Sequence, residues 1–300
     1  MVLLKILIRG KFLKKLNICY NYIFLKFIEY MYLCMNEITI GYLSWKRHDI
    51  LEQTLKSHKE NGLFDIIPPE NRIIFFQEIS QQDRNIADKY NLNILGNKEN
   101  IGILNAFIEL VQNCKTKYFI FSENDWLLIE NKDLCRNVFN DCIQLLNDNE
   151  KNIIKLRHIN NPGKPLYSRP HDINQWLNSN YHGFSYKLES LSWLDNPNNY
   201  YKSGILDEIQ YNYKWYSTTL EHQKWSNNIF IANTSFLKNT ITQMLINFKD
   251  TDKYLGLEDI LINYNNAFGK NTQLDEYINE YKKLRIVAGI GLFTHQDKII

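Results

Sequence analysis

The chain has 300 residues, 44% of them hydrophobic and 23% charged, enough to bury a large core and too apolar for a chain disordered as a whole. A formal net charge of +2 supplies no broad cationic field, which sets nucleic acid aside as a partner. The five cysteines (Cys19, Cys34, Cys114, Cys135, Cys142) form no CxxC pair and no even framework. That pattern argues against a structural zinc site or a disulfide scaffold and fits a reducing compartment, the cytoplasm or the cytoplasmic face of a membrane.

Residues 1–34 hold six Lys or Arg and one acid, a net of +5, so the rest of the chain sums to −3 (2 − 5). A spanning helix wants about 20 mostly apolar residues, and Lys26 and Glu29 interrupt the candidate. An interfacial amphipathic anchor giving weak membrane association, a poor signal-anchor, or an extension upstream of a domain starting near Met35 remain open.

From Glu37 the pattern becomes regular. Glu37–Ser44 alternates β-branched and apolar residues and predicts a buried strand. His48–Lys59 places Ile50, Leu51 and Leu55 on one helical face. Pro68-Pro69 closes this unit; Arg72–Phe76 predicts a second strand, Asp83–Tyr90 a helix and Asn91–Leu95 a short third strand. Ile103 to Cys114 sets Ile103, Leu104, Phe107, Leu110, Val111 and Cys114 at helical spacing, and Tyr118–Phe121 is apolar on both faces, as a central strand should be. Asp133 is expected to cap a helix carrying Leu134, Val138, Leu145 and Leu146, with another strand over Asn152–His158. This alternation predicts an α/β fold, a mostly parallel sheet with helices on both faces, whose ligands bind beyond the carboxyl ends of the strands. Residues 35–150 and 151–300 are expected to form the two halves of one domain.

The residues just after each strand bear chemistry. Trp45, Lys46 and Arg47 follow the first strand and Gln77-Glu78 the second, while Ser122-Glu123-Asn124-Asp125 ends the strand at Tyr118. Two acids one residue apart at a strand end point to one side and can share a divalent cation, or can simply cap the next element. His48 and His58 lie on the first helix, and no HExxH motif exists, which disfavours a zincin hydrolase. A sugar-nucleotide nucleotidyltransferase needs a Gly-rich phosphate loop after its first strand, and Leu43–Arg47 has no glycine.

Glu99-Asn-Ile-Gly-Ile-Leu-Asn-Ala106, followed by a helix and Tyr118–Asp125, resembles the nucleotide-sugar half of the GT-A-fold, family-2-like glycosyltransferases. Tyr42–Arg47 is similar to their first nucleotide-binding loop, and Phe75-Phe-Gln-Glu78 to the strand whose terminal acid faces the base. The resemblance covers roughly residues 37–130, and it implies that residues 35–150 form the nucleotide-sugar-binding half and 151–300 the acceptor-binding and catalytic half of the same domain. It implies a GT-A (Rossmann-like) fold with a C-terminal acceptor-side region and a donor site of Trp45, Arg47, Glu78, Asn100, Glu123, Asn124 and Asp125. A DxD-like motif is implied in which Asp125 is the surviving aspartate, with Glu123 reaching Mn²⁺ or Mg²⁺ by a longer arm or through water.

Tyr254–Leu261 is similar to the Glu-Asp motif of inverting members, which makes Asp259, or else Glu258, the general base; both are equally first-turn acids of the kind helices prefer. Val287–His295 resembles the late strand whose histidine adds a metal ligand, pointing to His295. The implied activity is transfer of a sugar from a nucleotide-diphosphate sugar, a UDP-sugar by preference, to a hydroxyl of a glycan, glycoprotein or glycolipid, with inversion. The altered Glu-Asn-Asp triplet leaves a catalytically degenerate domain that binds nucleotide sugar or glycan as the alternative. In the middle third, Arg157 and His158 are expected near the sheet's carboxyl edge, followed by Arg169 and His171. Trp176, Trp193, Tyr200, Tyr201, Trp215, Tyr216 and Trp225–Asn228 are either acceptor contacts or core.

Overall fold

The computed structural model describes residues 35–148, 151–163, 206–220, 225–248 and 283–296. Residues 1–34, Arg169, His171, Trp176, Trp193, Tyr200, Tyr201, Glu258 and Asp259 lie outside them. Among the described residues no helix is long and apolar enough to cross a membrane.

The elements are β1 (Ile38–Ser44), α1 (His48–Glu60), β2 (Arg72–Phe76), α2 (Gln81–Tyr90), β3 (Asn93–Gly96), α3 (Gly102–Asn113), β4 (Tyr118–Glu123), β5 (Trp126–Leu128) and α4 (Lys132–Asn147). They continue with β6 (Ile153–Arg157), β7 (Asp207–Gln210), β8 (Lys214–Thr219), β9 (Phe230–Asn233), α5 (Thr234–Phe236), a π-helical stretch (Leu237–Ile241), α6 (Thr242–Phe248) and β10 (Arg285–His295). Among the described residues nine strands form one sheet in the order β3-β2-β1-β4-β9-β6-β10-β8-β7, and β5 joins it through β10. The first four strands in that order run parallel. β6 and β10 are also parallel, and β9 runs antiparallel between β4 and β6.

Strand alternation divides the apolar residues between two faces. Ile38, Ile40, Tyr42, Ile74, Phe76, Tyr118 and Ile120 pack with Leu51 and Leu55 of α1, Ile86 and Tyr90 of α2, and Val138 and Cys142 of α4. Leu43, Ile73, Phe75, Phe119 and Phe121 take the other face, with Phe107 and Leu110 of α3 and Leu237 and Ile241 of the later helical segment. Helices therefore cover both faces, as the continuous apolar runs in β2 and β4 require. α2 opens with a capping box between Ser80 and Asp83. The cap of α4 corrects the sequence expectation: Asn131 accepts from the N–H groups of Asp133 and Leu134, and Asp133 is a first-turn acid. An amide at the half-in position reaches both free N–H groups, which an acid two residues later cannot do.

The β7–β8 hairpin is tied to α4 by one buried carboxylate. Asp141 Oδ1 accepts from Asn212 Nδ2 at 2.7 Å and Asn212 N at 3.3 Å, and Oδ2 accepts from Trp215 Nε1 at 2.9 Å and Tyr213 N at 3.0 Å. Trp215 and Trp225 are both core residues, fully or almost fully buried, so neither is an acceptor platform. Asp141→Ala strands buried donors at about 1–3 kcal/mol each, so an overall loss of about 3 kcal/mol or more is expected. A urea midpoint that falls at unchanged slope reads it; an unchanged midpoint contradicts it.

Candidate functional site

The chain order places the reversal of strand order between β2 and β4, on either side of β1, and crevices at such switch points open beyond the carboxyl ends of the strands. A cavity of about 400 Å³ lies there, lined by Leu43, Ser44, Trp45, Arg47, Gln77, Asn100, Gly102, Ile103, Glu123, Asn124 and Asp125. It is large enough for a small ligand. Six of the residues expected from the sequence (Trp45, Arg47, Asn100, Glu123, Asn124 and Asp125) therefore line one cavity.

The loops around the cavity are held by side chains. Gln77, buried, donates through Nε2 to Gly102 O at 2.9 Å and accepts from Ile101 N at 2.8 Å, which fixes the start of α3 against the end of β2. Asn100 accepts from Gly102 N at 2.8 Å, an Asx-type turn into the helix. Gly102 has φ +79°, so glycine suits the turn. Ile103, expected on the apolar face of α3, is instead 41% exposed at the cavity. The helix begins at residue 102, and its buried face is set by Leu104, Phe107 and Val111.

Lys46 and Glu78 both have φ near +52°, a left-handed backbone that is uncommon outside glycine and that clusters at functional sites. The two side chains form an ion pair at the rim. Hydrogen bonds from Lys46 and then Trp45 hold the Glu78 carboxyl below its usual range. Glu78 thus stands beside the cavity, bound to the loop that follows β1. Trp45 is 49% exposed at the cavity wall.

The turn from β4 into β5 is clamped by α1. Thr54 Oγ1 donates to Asn124 O at 2.9 Å, His58 Nε2 to Trp126 O at 2.8 Å, and Asn61 Nδ2 to Leu128 O at 2.8 Å; Ser57 Oγ accepts from Leu128 N at 3.0 Å. His58 is fully buried and accepts from Tyr42 OH through Nδ1 at 2.7 Å, so the carbonyl partner places its proton on Nε2. Burial lowers its pKa from 6.5 to about 4, partly opposed by the Trp126 carbonyl.

On its other edge β5 pairs with the end of β10, with Trp126 opposite His295, and Gln296 N donates to Asp125 O at 2.8 Å. This pairing brings His295 Nε2 to 3.6 Å from Asp125 Oδ1. Arg47 Nη1 donates to Asp125 Oδ2 at 2.8 Å. Asp125 Oδ1 and Arg47 Nη2 are both buried and make no hydrogen bond among the described residues. His295 is further fixed by the Trp126 ring, edge-on at 4.9 Å, and by its N–H to Pro162 O at 3.1 Å. Gly163 bridges to His295 at φ +72°, where a Cβ would stand 2.0 Å from His295 O. Sequence patterning gives no sign of that close approach.

A buried carboxylate oxygen without a hydrogen bond, facing an imidazole nitrogen, is a donor set that suits a divalent cation completed by ligand oxygens and water. Among the described residues no group of three His, Cys, Asp or Glu could hold an ion alone. Protein ligands alone therefore do not complete a cage here. Arg157 and His158, expected at this edge, are buried: Arg157 donates to Pro162 O at 2.7 Å, Asn228 Oδ1 and Gly163 O at 3.1 Å, and His158 pairs with Glu130 at 3.0 Å. Trp225 packs under Lys155 Nζ at 5.1 Å, as a core ring.

No family model matches the chain, and no curated protein matches it. Among solved structures it is similar to S. aureus TarS 1–349, with TM-score 0.44 and 12% identity over 86% of this chain and 60% of that one. The same protein in complex with UDP-GlcNAc gives 0.46 and 13% over 87% and 58%. The mannosyltransferase PcManGT from Pyrobaculum calidifontis, in complex with GDP-Man and Mn²⁺, gives 0.40 and 9% over 76% and 51%. The chain thus spans about three fifths of the length of the TarS 1–349 structure.

The neutral His58 has a pH consequence. At and above its ordinary pKa of 6.5 its contribution to stability is complete; between 6.5 and about 4 the unfolded chain takes up a proton that the folded protein refuses. Stability should therefore fall across that window as pH is lowered, by on the order of 3 kcal/mol. His58→Gln should remove this component, so its melting temperature should fall less steeply than the wild type's between pH 6.5 and 4. Parallel curves would contradict the assignment.

Proposed function

We propose that the chain is a nucleotide-sugar-dependent glycosyltransferase of the GT-A type whose donor occupies the cavity beyond β1 and β4. The observation that carries this reading is a pair that includes the cavity residue Asp125: its Oδ1, buried and without a hydrogen bond among the described residues, lies 3.6 Å from His295 Nε2. In this reading Asp125 and His295 hold a divalent ion, Mn²⁺ suiting the imidazole better than Mg²⁺, and Glu123 at the end of β4 faces the same space. When bound, such an ion neutralises charge on the departing diphosphate. Trp45 and Asn100 line the nucleotide's place, and Glu78 at its rim reads the base.

The chain's own residues then do the following. Asp259 takes the proton from an acceptor hydroxyl as that oxygen bonds to the anomeric carbon. The bond from that carbon to the diphosphate oxygen breaks on the opposite face, which inverts the configuration. A UDP-sugar is the first donor to test, with a glycan, glycoprotein or glycolipid hydroxyl as acceptor, in the cytoplasm or at the cytoplasmic face of a membrane.

The test is a thermal-shift panel of nucleoside diphosphates and nucleotide sugars with and without Mn²⁺. Binding to the native state at a hundredfold excess over Kd adds about 2.7 kcal/mol. One nucleotide family should give a shift that Mn²⁺ enlarges, and Asp125→Ala should lose that metal-dependent part; no shift with any nucleotide refutes the reading. For the chemistry, Asp259→Asn should lower the transfer rate by about 10²–10⁴-fold while the nucleotide shift remains. Full transfer by that variant removes Asp259 from the mechanism.

A further inference from the structure

Arg47 and Asp125 are joined at a single point. Guanidinium and carboxylate groups commonly meet through two parallel N–H···O bonds. Here Nη1 alone donates to Oδ2, at 2.8 Å, and the remaining Nη2 and Oδ1 are both buried without a hydrogen bond among the described residues. Burying a donor and an acceptor without partners is costly, and more so for charged groups. One orphan is a donor and the other an acceptor, and both side chains line the same cavity. A ligand that satisfies both must be anionic toward Arg47 and bring positive charge to Asp125. A diphosphate carrying a divalent ion has that pattern.

The backbone supports the same direction of charge. Arg47 is the residue immediately before α1, a thirteen-residue helix whose first turn receives no side-chain cap. Arg47 thus stands at the positive end of that helix, an end that favours anions. The left-handed backbone of Lys46 makes the turn that sends Arg47 inward while Lys46 goes to the rim. A lysine ammonium in place of Arg47 is a single point charge, whereas the planar fork keeps one N–H on Asp125 and aims another elsewhere.

We infer that Arg47 is a diphosphate-binding residue, a second cation for the donor that acts with the divalent ion and also without it. Nη2 donates to a phosphate oxygen, while Nη1 holds Asp125 Oδ2 so that only Oδ1 faces the ion. This rests on the nucleotide-sugar reading of the cavity. It adds that part of the diphosphate recognition is independent of metal and belongs to the loop after β1.

The experiment is calorimetric binding of UDP, GDP, uridine and guanosine to the full chain, in EDTA and in Mn²⁺. The wild type should hold one nucleoside diphosphate more tightly than its nucleoside even in EDTA. Arg47→Ala should lose that preference and bind the diphosphate about 10–100-fold more weakly in Mn²⁺, with nucleoside affinity unchanged; Arg47→Lys should recover part. Arg47→Ala leaves the Asp125 carboxylate buried without its partner and can fail to fold, so Asp125→Asn and the double variant Arg47→Ala/Asp125→Asn are measured beside it. Asp125→Asn should keep the metal-free preference and the double variant lose it. Equal diphosphate binding by wild type and Arg47→Ala, or by Asp125→Asn and the double variant, overturns the role of Arg47 while leaving the nucleotide reading intact. No binding of either nucleotide by the wild type in either condition overturns both.

Discussion

A three-residue strand has two hydrogen-bonding edges, and among the described residues β5 meets another strand on one of them. The second edge is completed by side chains of α1 and of Asn61, which caps its end: Thr54, Ser57, His58 and Asn61 act as the partner that a further strand would supply. Buried backbone groups must be paired, so this substitution decides where the carboxylate preceding β5 can stand. It also explains why a helix otherwise apolar on its inner face carries buried Thr54 and His58. Their polar atoms are turned to the turn after β4 while Leu51 and Leu55 fill the core. His58 links this clamp to β1 through the Tyr42 hydroxyl, and Phe293 of β10 lies against its ring at 5.4 Å. Three elements distant in the chain converge on one uncharged imidazole.

Charge in the cavity is arranged around this fixed turn. Asp125 receives a guanidinium on one oxygen and faces an imidazole on the other, each from a different end of the chain. Lys46 and Glu78 neutralise one another at the rim. The side chains around the opening are therefore engaged with each other before any ligand arrives, which lowers the cost of holding them in place when one does.

The elements up to β4 were legible because each is a run of apolar residues with the period of its own structure, bounded by turn residues. Glu37–Ser44, Arg72–Phe76 and Tyr118–Phe121 all fall on observed strands. Their order also made the position of the cavity legible, since strand ends are where α/β sheets bind ligands. Other features left no trace. Phe230–Asn233 has four residues and no pattern that reveals two antiparallel neighbours. Asp141 on an amphipathic helix reads as a solvated acid, and only the tertiary fold brings four donors to it. Gln77 was visible merely as the residue after a strand, although its amide ties β2 to α3. Asp133 competed with Asn131 for one cap, and the choice depended on a one-turn geometry that composition does not encode. The juxtaposition of Asp125 and His295 was expected from a resemblance; the register of β5 against β10 is its physical cause.

The antiparallel insertion of β9 bears on how the chain matures as it leaves the ribosome. β4 and β6 are separated in the sheet by a strand that emerges some seventy residues after β6, and β5 finds its neighbour only when the last strand arrives. The three parallel neighbours β1, β2 and β3 need nothing downstream to pair. β4 completes one side with β1 and, until β9 is made, leaves on its other side a row of unpaired backbone groups, the kind of edge that recruits wrong partners. In chain order, then, the parallel half-sheet has all its parallel partners before β9 and β10 exist, and the sheet is closed by its carboxyl-terminal strands. The loop after β1 is in place early, and the histidine that faces Asp125 comes last.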